Sequence, residues 1–287
     1  FGTAYPCVVT GSHLFLHGNV FVPGAQGSAY RLYGSNNTLT NCSGHLLFNG
    51  SASHSNLIAQ CHFSDLDGLG DFVIQGNANT IRTTIFEHGE YYSTLISGDD
   101  NVLQECVAYS NATGFAVTGS RNLLEGCCSY WNNKGVQLNG NSNILRACRI
   151  GLDAAGTSVL ANAAHGIEVR GVGNLVGGGH ADQKNIICGS GMDGIRLEAA
   201  RGARILKNYI GLAPDGSNGF GNTRWGVSAQ GCSNLYIGDY LDGNIIASNR
   251  TGGILLDRCT NTVVMDNYIG ADRYGLNPVG NHGHGVR

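Results

Sequence analysis

The residues from Asn101 to Cys148 hold one phrase three times: NVLQEC (101–106), NLLEGC (122–127) and NILRAC (143–148). Each copy opens on Asn, alternates over a few residues and closes on Cys. Toward the N-terminus the phrase returns as NTLTNC (37–42), NLIAQC (56–61) and NTIRTT (79–84). From Asn56 onward the leading Asn residues stand 23, 22, 21 and 21 residues apart. Before each copy lies a second alternating phrase, usually ended by Gly: HLFLHG (13–18), AYRLYG (29–34), HLLFNG (45–50), DFVIQG (71–76), STLISG (93–98), GFAVTG (114–119) and GVQLNG (135–140). It continues as GIEVRG (166–171), GIRLEA (194–199), GVSAQG (226–231) and GILLDR (253–258). Short alternation bounded by Gly is the signature of a strand.

A period near 22 residues with several short strands and no helical pattern does not suit a sandwich. Hairpins reverse the strand direction and give no reason for side chains to recur at a fixed offset. A solenoid does give one, because each turn lays equivalent residues on those below at about 4.8 Å per rung. The LxxLxLxxN frame of leucine-rich repeats is absent. The expected architecture is all-β, a parallel β-helix of about ten coils.

Beyond Cys148 the period lengthens. RIGLDAAGTSVLANAAHGI, YIGLAPDGSNGFGNTRWGV and YIGADRYGLNPVGNHGHGV begin their Ile-Gly pairs at 150, 210 and 269, with NIIC (185–188) and NIIAS (244–248) between them. The unit is therefore a double coil of about 60 residues, with one loop of about ten residues protruding from it and a shorter one on the other coil. No linker separates short coils (1–148) from looped coils (149–287), so one continuous domain over 1–287 is expected.

Composition narrows the function classes. The 287 residues include 45 Gly and 4 Pro, 13% charged residues and a net charge of −3. No basic stripe is present to displace counterions from a nucleic acid. No run of about 18 apolar residues suits a membrane-spanning helix. Phe1 opens on FGTAYPC with no signal peptide, which reads as a mature or excised chain.

With NYIG…DG…GN…GV phrasing and N-x-[IV]-x-x-[CN] turns, the chain resembles the right-handed parallel β-helix repeats of the pectin-lyase-like superfamily, closest to those of bacterial surface and secreted proteins. The resemblance implies a single-stranded right-handed parallel β-helix and an extracellular or cell-surface location. It does not imply one function, because that superfamily holds lyases, glycosidases, epimerases, tailspikes, adhesins and spacers.

Stacking gives the repeated positions physical meaning. Asn37, Asn56, Asn79, Asn101, Asn122 and Asn143 read as a structural column, since Asn tolerates left-handed backbone and stacked amides bond between rungs. Cys42, Cys61, Cys106, Cys127 and Cys148 form a second column, with Thr84 in the missing slot. Buried free thiols, some disulfides or a metal site remain open for it. Sequons at Asn36, Asn41, Asn49, Asn111 and Asn249 arise by chance in so Asn-rich a chain.

Outward positions of the Gly-terminated phrase supply the candidate chemistry. Glu168, Arg170, Arg196 and Glu198 fall on neighbouring rungs, so Glu168 faces Arg196 and Arg170 faces Glu198. They read either as two cross-strand ion pairs or as a glycan site, with Glu168, Arg196 and Glu198 catalytic and Arg170 holding uronate. The long loops end on His165-Gly166, Trp225-Gly226 and His284-Gly285. His165, Trp225 and His284 should therefore stack at every second rung, about 10 Å apart, to receive sugar rings or to lid their loops. Asp65, Asp67 and Asp71 in DLDGLGD space oxygen ligands as a calcium loop does, although Leu69 and a missing Glu break the pattern. Calcium is thus a possible ligand and no cofactor is required. Gly98-Asp99-Asp100 is similar to the paired Asp of polygalacturonases, but Gly119-Ser120-Arg121 stands where that family's Gly-His-Gly belongs, and the only Gly-His-Gly is at 283–285.

Neither end carries a polar cap, which suggests a piece of a longer solenoid or end-to-end self-association. The expected function is a surface or secreted β-solenoid module that binds a glycan or partner protein, or builds a filament. The alternative is a carbohydrate-active enzyme (polysaccharide lyase, glycoside hydrolase or epimerase) acting on a glycan along the outer face.

Overall fold

The computed structural model describes residues 8–21, 30–44, 46–47, 53–64, 72–241 and 243–287. Every strand pair in it is parallel, and each strand bonds to its equivalent one repeat away. The Asn-led phrases form a sheet of eleven strands among the described residues, running from Phe15–His17 to Val263–Val264, and its first strand belongs to HLFLHG, which pairs with NTLTNC and not, as expected, with the Gly-terminated phrases. The Gly-terminated phrases form a second face, with strands such as Lys134–Leu138, Ile167–Val169, Ile195–Glu198, Trp225–Gln230 and Gly252–Asp257. A third face consists of the strands that follow the Cys column, among them Cys128–Tyr130, Arg149–Ile150 and Ile186–Ile187, joined by the start of Val107–Val117, which runs on into the second face.

Alternation fills the interior from all three faces. Val136, Ile167, Ile195, Val227 and Ile254 stack in one column, and Leu103, Leu124, Leu145, Val176 and Ile205 in another. One buried cluster runs from Leu39 to Ile254. Near its start, the buried rings of Phe63, Phe72 and Phe86 lie 4.7–6.1 Å apart.

The corners explain the invariant letters of the repeat. Asn122 Oδ1 accepts the Asn101 N–H at 2.8 Å, and Asn122 Nδ2 donates to the Gly98 carbonyl at 3.0 Å. The column extends past Asn143 to Asn174, after which Ala203 and Leu235 replace it with apolar packing. A Cβ on Gly98, Gly119 or Gly140 would approach the carbonyl oxygen of the preceding coil's glycine to 1.8–1.9 Å, so a side chain there would force the rungs apart. The residue after each Asn-led strand is left-handed: Gln60, Thr83, Glu105, Gly126 and Ala147 have φ between 49° and 68°. Only one of these five is Gly, because rung-to-rung bonds such as Glu105 N–H to the Glu125 carbonyl hold the turn.

The thiols of Cys42, Cys61, Cys106, Cys127 and Cys148 are buried and free, as are those of Cys128, Cys188 and Cys232. Their column continues as Asn185, Asn208, Asn244 and Asn267, linked at the joint by the Cys148 N–H donating to Asn185 Oδ1 at 2.9 Å. Burial raises the Cys61 thiol to about 11 and the Cys188 thiol to about 12. Asn111 and Asn249, two of the sequons, are buried in a third Asn column, out of reach of a glycosylating enzyme. The loops at 152–159, 212–219 and 271–278 protrude, each closed by one antiparallel bridge. Asp153, Asp215 and Asp272 accept backbone N–H groups within them. No helix among the described residues is long and apolar enough to cross a membrane.

Candidate functional site

The outward residues of the Gly-terminated face form three columns along the axis. The register pairs Gln137 with Glu168, Glu168 with Arg196, and Arg196 with Ser228. Beside this column runs a second, two residues later in each coil: Asn139, Arg170, Glu198, Gln230 and Asp257. The third holds the residue before each strand's glycine: Thr113, Lys134, His165, Asp193, Trp225, Gly252 and His284. Ionisable side chains concentrate on three consecutive coils, those of Lys134, of His165 with Glu168 and Arg170, and of Asp193 with Arg196 and Glu198.

Glu168 lies at the centre with only 4% of its side chain exposed. Lys134 Nζ is 2.7 Å from Oε2, Arg170 Nη2 is 3.0 Å from Oε1, and Gln137 Nε2 donates to Oε1 at 3.1 Å. Burial pushes this carboxyl up, but the hydrogen bonds from Lys134 and Gln137 and the adjoining positive charges outweigh it, so its pKa falls below the ordinary value. A carboxylate held ionised and enclosed in this way anchors the cations around it. Arg170 also pairs with Glu198 at 2.5 Å, as the register implied. Glu168 and Arg196 share a rung position but do not bond. Arg196 Nη2 instead donates to Gln230 Oε1 at 2.9 Å, and its Nη1 lies 3.9 Å from Asp193.

Asp193 is the residue that pattern reasoning missed. It is fully buried, yet it belongs to an outward column. Its Oδ1 accepts the Trp225 N–H at 3.1 Å and its Oδ2 the Ser228 hydroxyl at 2.8 Å. His165 Nδ1 is 3.5 Å from Oδ2, and Arg224 Nε is 4.0 Å from Oδ1. The sequence carries a signal for it, since Asp193 precedes Gly194 just as His165 precedes Gly166. The Asp193 N–H also donates to His165 Nδ1 at 3.4 Å, which leaves the ring hydrogen of the neutral imidazole on Nε2. Burial lowers the His165 pKa, and Arg196 and Lys134 lower it further against the pull of Asp193 and Glu168. His165 is therefore neutral near pH 7, beside a buried carboxylate, with 12% of its side chain exposed.

The expected aromatic row exists as a register, with its middle ring buried. His165, Trp225 and His284 do alternate with Asp193 and Gly252, but the Trp225 ring is buried. It fills the space above Gly252, where a Cβ would meet its Cζ3 at 2.2 Å. The Trp225 ring thus packs against the following coil, whereas His284 is exposed. Asp99 and Asp100 bind Arg121 on the next coil at 3.2 and 2.8 Å, which makes them a turn ion pair. Asp65, Asp67 and Asp71 lie outside the described residues. Among the described residues no three His, Cys, Asp or Glu side chains are grouped to hold a metal ion.

A family model described as "Right handed beta helix region" matches residues 21–155. Solved structures extend the likeness over the whole chain. The mannuronan C-5 epimerase AlgE4 A-module of Azotobacter vinelandii has a TM-score of 0.62 at 16% identity, covering 98% of this chain and 86% of that one. The periplasmic alginate epimerase AlgG has a TM-score of 0.62 at 13% identity, covering 98% and 76%. Tailspike protein 3 of bacteriophage CBA120 has 0.52 at 9%, covering 95% and 52%. No curated protein sequence matches the chain. The chain folds as a right-handed parallel β-helix.

Proposed function

We propose that the chain binds an acidic polysaccharide along the outer face of the Gly-terminated strands, centred on the Lys134, His165 and Asp193 coils. The observation that carries this reading is the gathering of Lys134, Arg170, Arg196 and Arg224 against Glu168, Glu198 and Asp193 on one outward face. Cations outnumber carboxylates there by one, in a chain whose net charge is −3. Rungs about 4.8 Å apart offer a linear polymer lying along the axis the same set of positions again and again. Two of the similar structures are described as epimerases of mannuronan or alginate, which makes alginate the first probe. A periplasmic or extracellular setting suits such a ligand.

His165 favours a second step on the same face, turnover of the bound uronate by proton transfer. Its neutral imidazole accepts the Asp193 N–H, and Arg196 on the same coil as Asp193 would neutralise a sugar carboxylate. Calorimetry with alginate oligosaccharides, paired with proton NMR of the polymer after incubation, tests both parts. Arg196→Ala should weaken binding about tenfold, the loss of one charged hydrogen bond. Affinity should also fall with added salt. Unchanged affinity in Arg196→Ala, or binding indifferent to salt, refutes the binding reading. An unaltered polymer spectrum refutes turnover, and an altered one that persists in His165→Gln removes that residue from the chemistry.

A further inference from the structure

Trp131 stands just before the charged face, at the corner leading into the strand Lys134–Leu138. It is 57% exposed, and its backbone is left-handed with φ 54°. A bulky aromatic in that region is a strained choice that smaller residues avoid. On the neighbouring coils the same corner position carries Ser110 and Ala161, both small. The indole is braced from below: the Tyr130 ring meets it edge-on at 5.7 Å, and Tyr130 stacks on Tyr109 at 5.4 Å and 5°. Tyr109 is in turn fixed by its hydroxyl, which donates to Glu87 at 2.7 Å.

Against Trp131 lies a hollow of about 460 Å³, lined by Ser110, Asn111, Asn132, Asn133, Ala161 and Ala163. Asn111 and Asn132 belong to the buried Asn column, so their amides are committed to the fold. The side chains of Ser110 and Asn133 make no hydrogen bond among the described residues and stand at the rim. The hollow therefore combines one rigid aromatic face with polar rim groups and no charge. That combination matches a pyranose ring, which has an apolar C–H face and a hydroxyl edge.

We infer that Trp131 and its hollow form a sugar-ring subsite, placed to take one residue of the polysaccharide whose charged residues engage the Lys134–Arg196 face. The inference deepens the binding reading above and rests on it for the identity of the polymer. The occupant is a carbohydrate because the walls carry hydrogen-bonding groups at the rim and the small residues Ala161 and Ala163 leave the indole face open. The three residues from Trp131 to Lys134 span at most about 10 Å, so both contacts lie within reach of one short oligosaccharide.

The test uses the whole chain, which has two Trp residues, one buried and one exposed. Short alginate oligosaccharides and neutral cello-oligosaccharides are titrated while acrylamide quenching and binding heat are followed, for wild type, Trp131→Gly, Trp131→Phe and Arg196→Ala. Glycine suits the left-handed backbone, so Trp131→Gly should fold, and circular dichroism checks that it does. The expected result is that alginate shields Trp131 from acrylamide, that Trp131→Gly loses affinity about tenfold, and that Trp131→Phe stays within about threefold. If Arg196→Ala loses affinity but Trp131→Gly does not, the subsite is overturned and the charged-face reading stands. If cello-oligosaccharides shield Trp131 and alginate does not bind, the subsite stands and the acidic-polymer reading falls. If no sugar alters quenching, or an aromatic peptide shields Trp131 where sugars do not, the subsite is refuted.

Discussion

Replacing Lys134 with Met should reveal how tightly the charged face is wired. Lys134 Nζ lies 2.7 Å from Glu168, whose side chain is 4% exposed. Removing one partner of a fully buried ion pair costs about 3–5 kcal/mol, because the other charge is left without compensation. Here Arg170 at 3.0 Å and Gln137 at 3.1 Å remain, so about 2 kcal/mol is expected for Lys134→Met. Glu168→Gln should cost about 1 kcal/mol, since Lys134 is 29% exposed and can turn to water. The double variant should lose about 1.5 kcal/mol in all, which leaves a coupling energy of about 1.5 kcal/mol. The pH dependence gives a second check. Folding lowers the Glu168 pKa, so its contribution to stability is complete above the unfolded value near 4.3 and vanishes as pH falls through the folded value. Lys134→Met should raise the folded pKa, so the difference between variant and wild type should shrink in acid. Urea unfolding at several pH values measures both effects. A coupling under about 0.5 kcal/mol, or a difference that does not narrow in acid, refutes the account of Glu168 as a buried anchor.

Further outcomes follow from other columns. Asn122→Ala orphans the buried Asn101 N–H and the Gly98 carbonyl and should cost about 3 kcal/mol in a denaturation curve. Gly252→Ala drives a methyl into the Trp225 ring, so it should lower stability and shift the Trp emission toward the red as the indole is displaced. In the native protein Cys106, Cys127, Cys148 and Cys188 should resist a thiol reagent at pH 8, whereas the partly exposed Cys259 should react before them. Rapid labelling of all thiols without unfolding would disprove the interior column. His165 favours its neutral form in the folded state, so it costs stability as pH falls below about 6.5, and His165→Gln should flatten that slope.

The parallel architecture was legible because it rests on recurrence, and a spacing of 21–23 residues between Asn residues is visible without coordinates. So was the outward register that pairs Glu168 with Arg196. The continuation of the Cys column as Asn185, Asn208, Asn244 and Asn267 was harder to see, because the loops shift the spacing and the residue type changes at the same point. The left-handed corners were invisible, since Gln60, Thr83, Glu105 and Ala147 carry no turn signature of their own. Trp131 was passed over for a related reason: it belongs to no repeated letter, and its prominence comes from the small residues above and below it.

The sequence alone determined the direction of winding of equivalent strands relative to each other, the inward columns and the residues that face out. Those follow from alternation and period, which local chemistry writes directly into the chain. The tertiary structure decided which outward groups meet. Glu168 binds Lys134 and Arg170 while its rung partner Arg196 turns to Gln230 and Asp193, and Trp225 folds inward over Gly252 while Trp131 stays in solvent. Side-chain direction on a β-helix face depends on the space left by the coils on either side, and that space exists only once the coils have stacked.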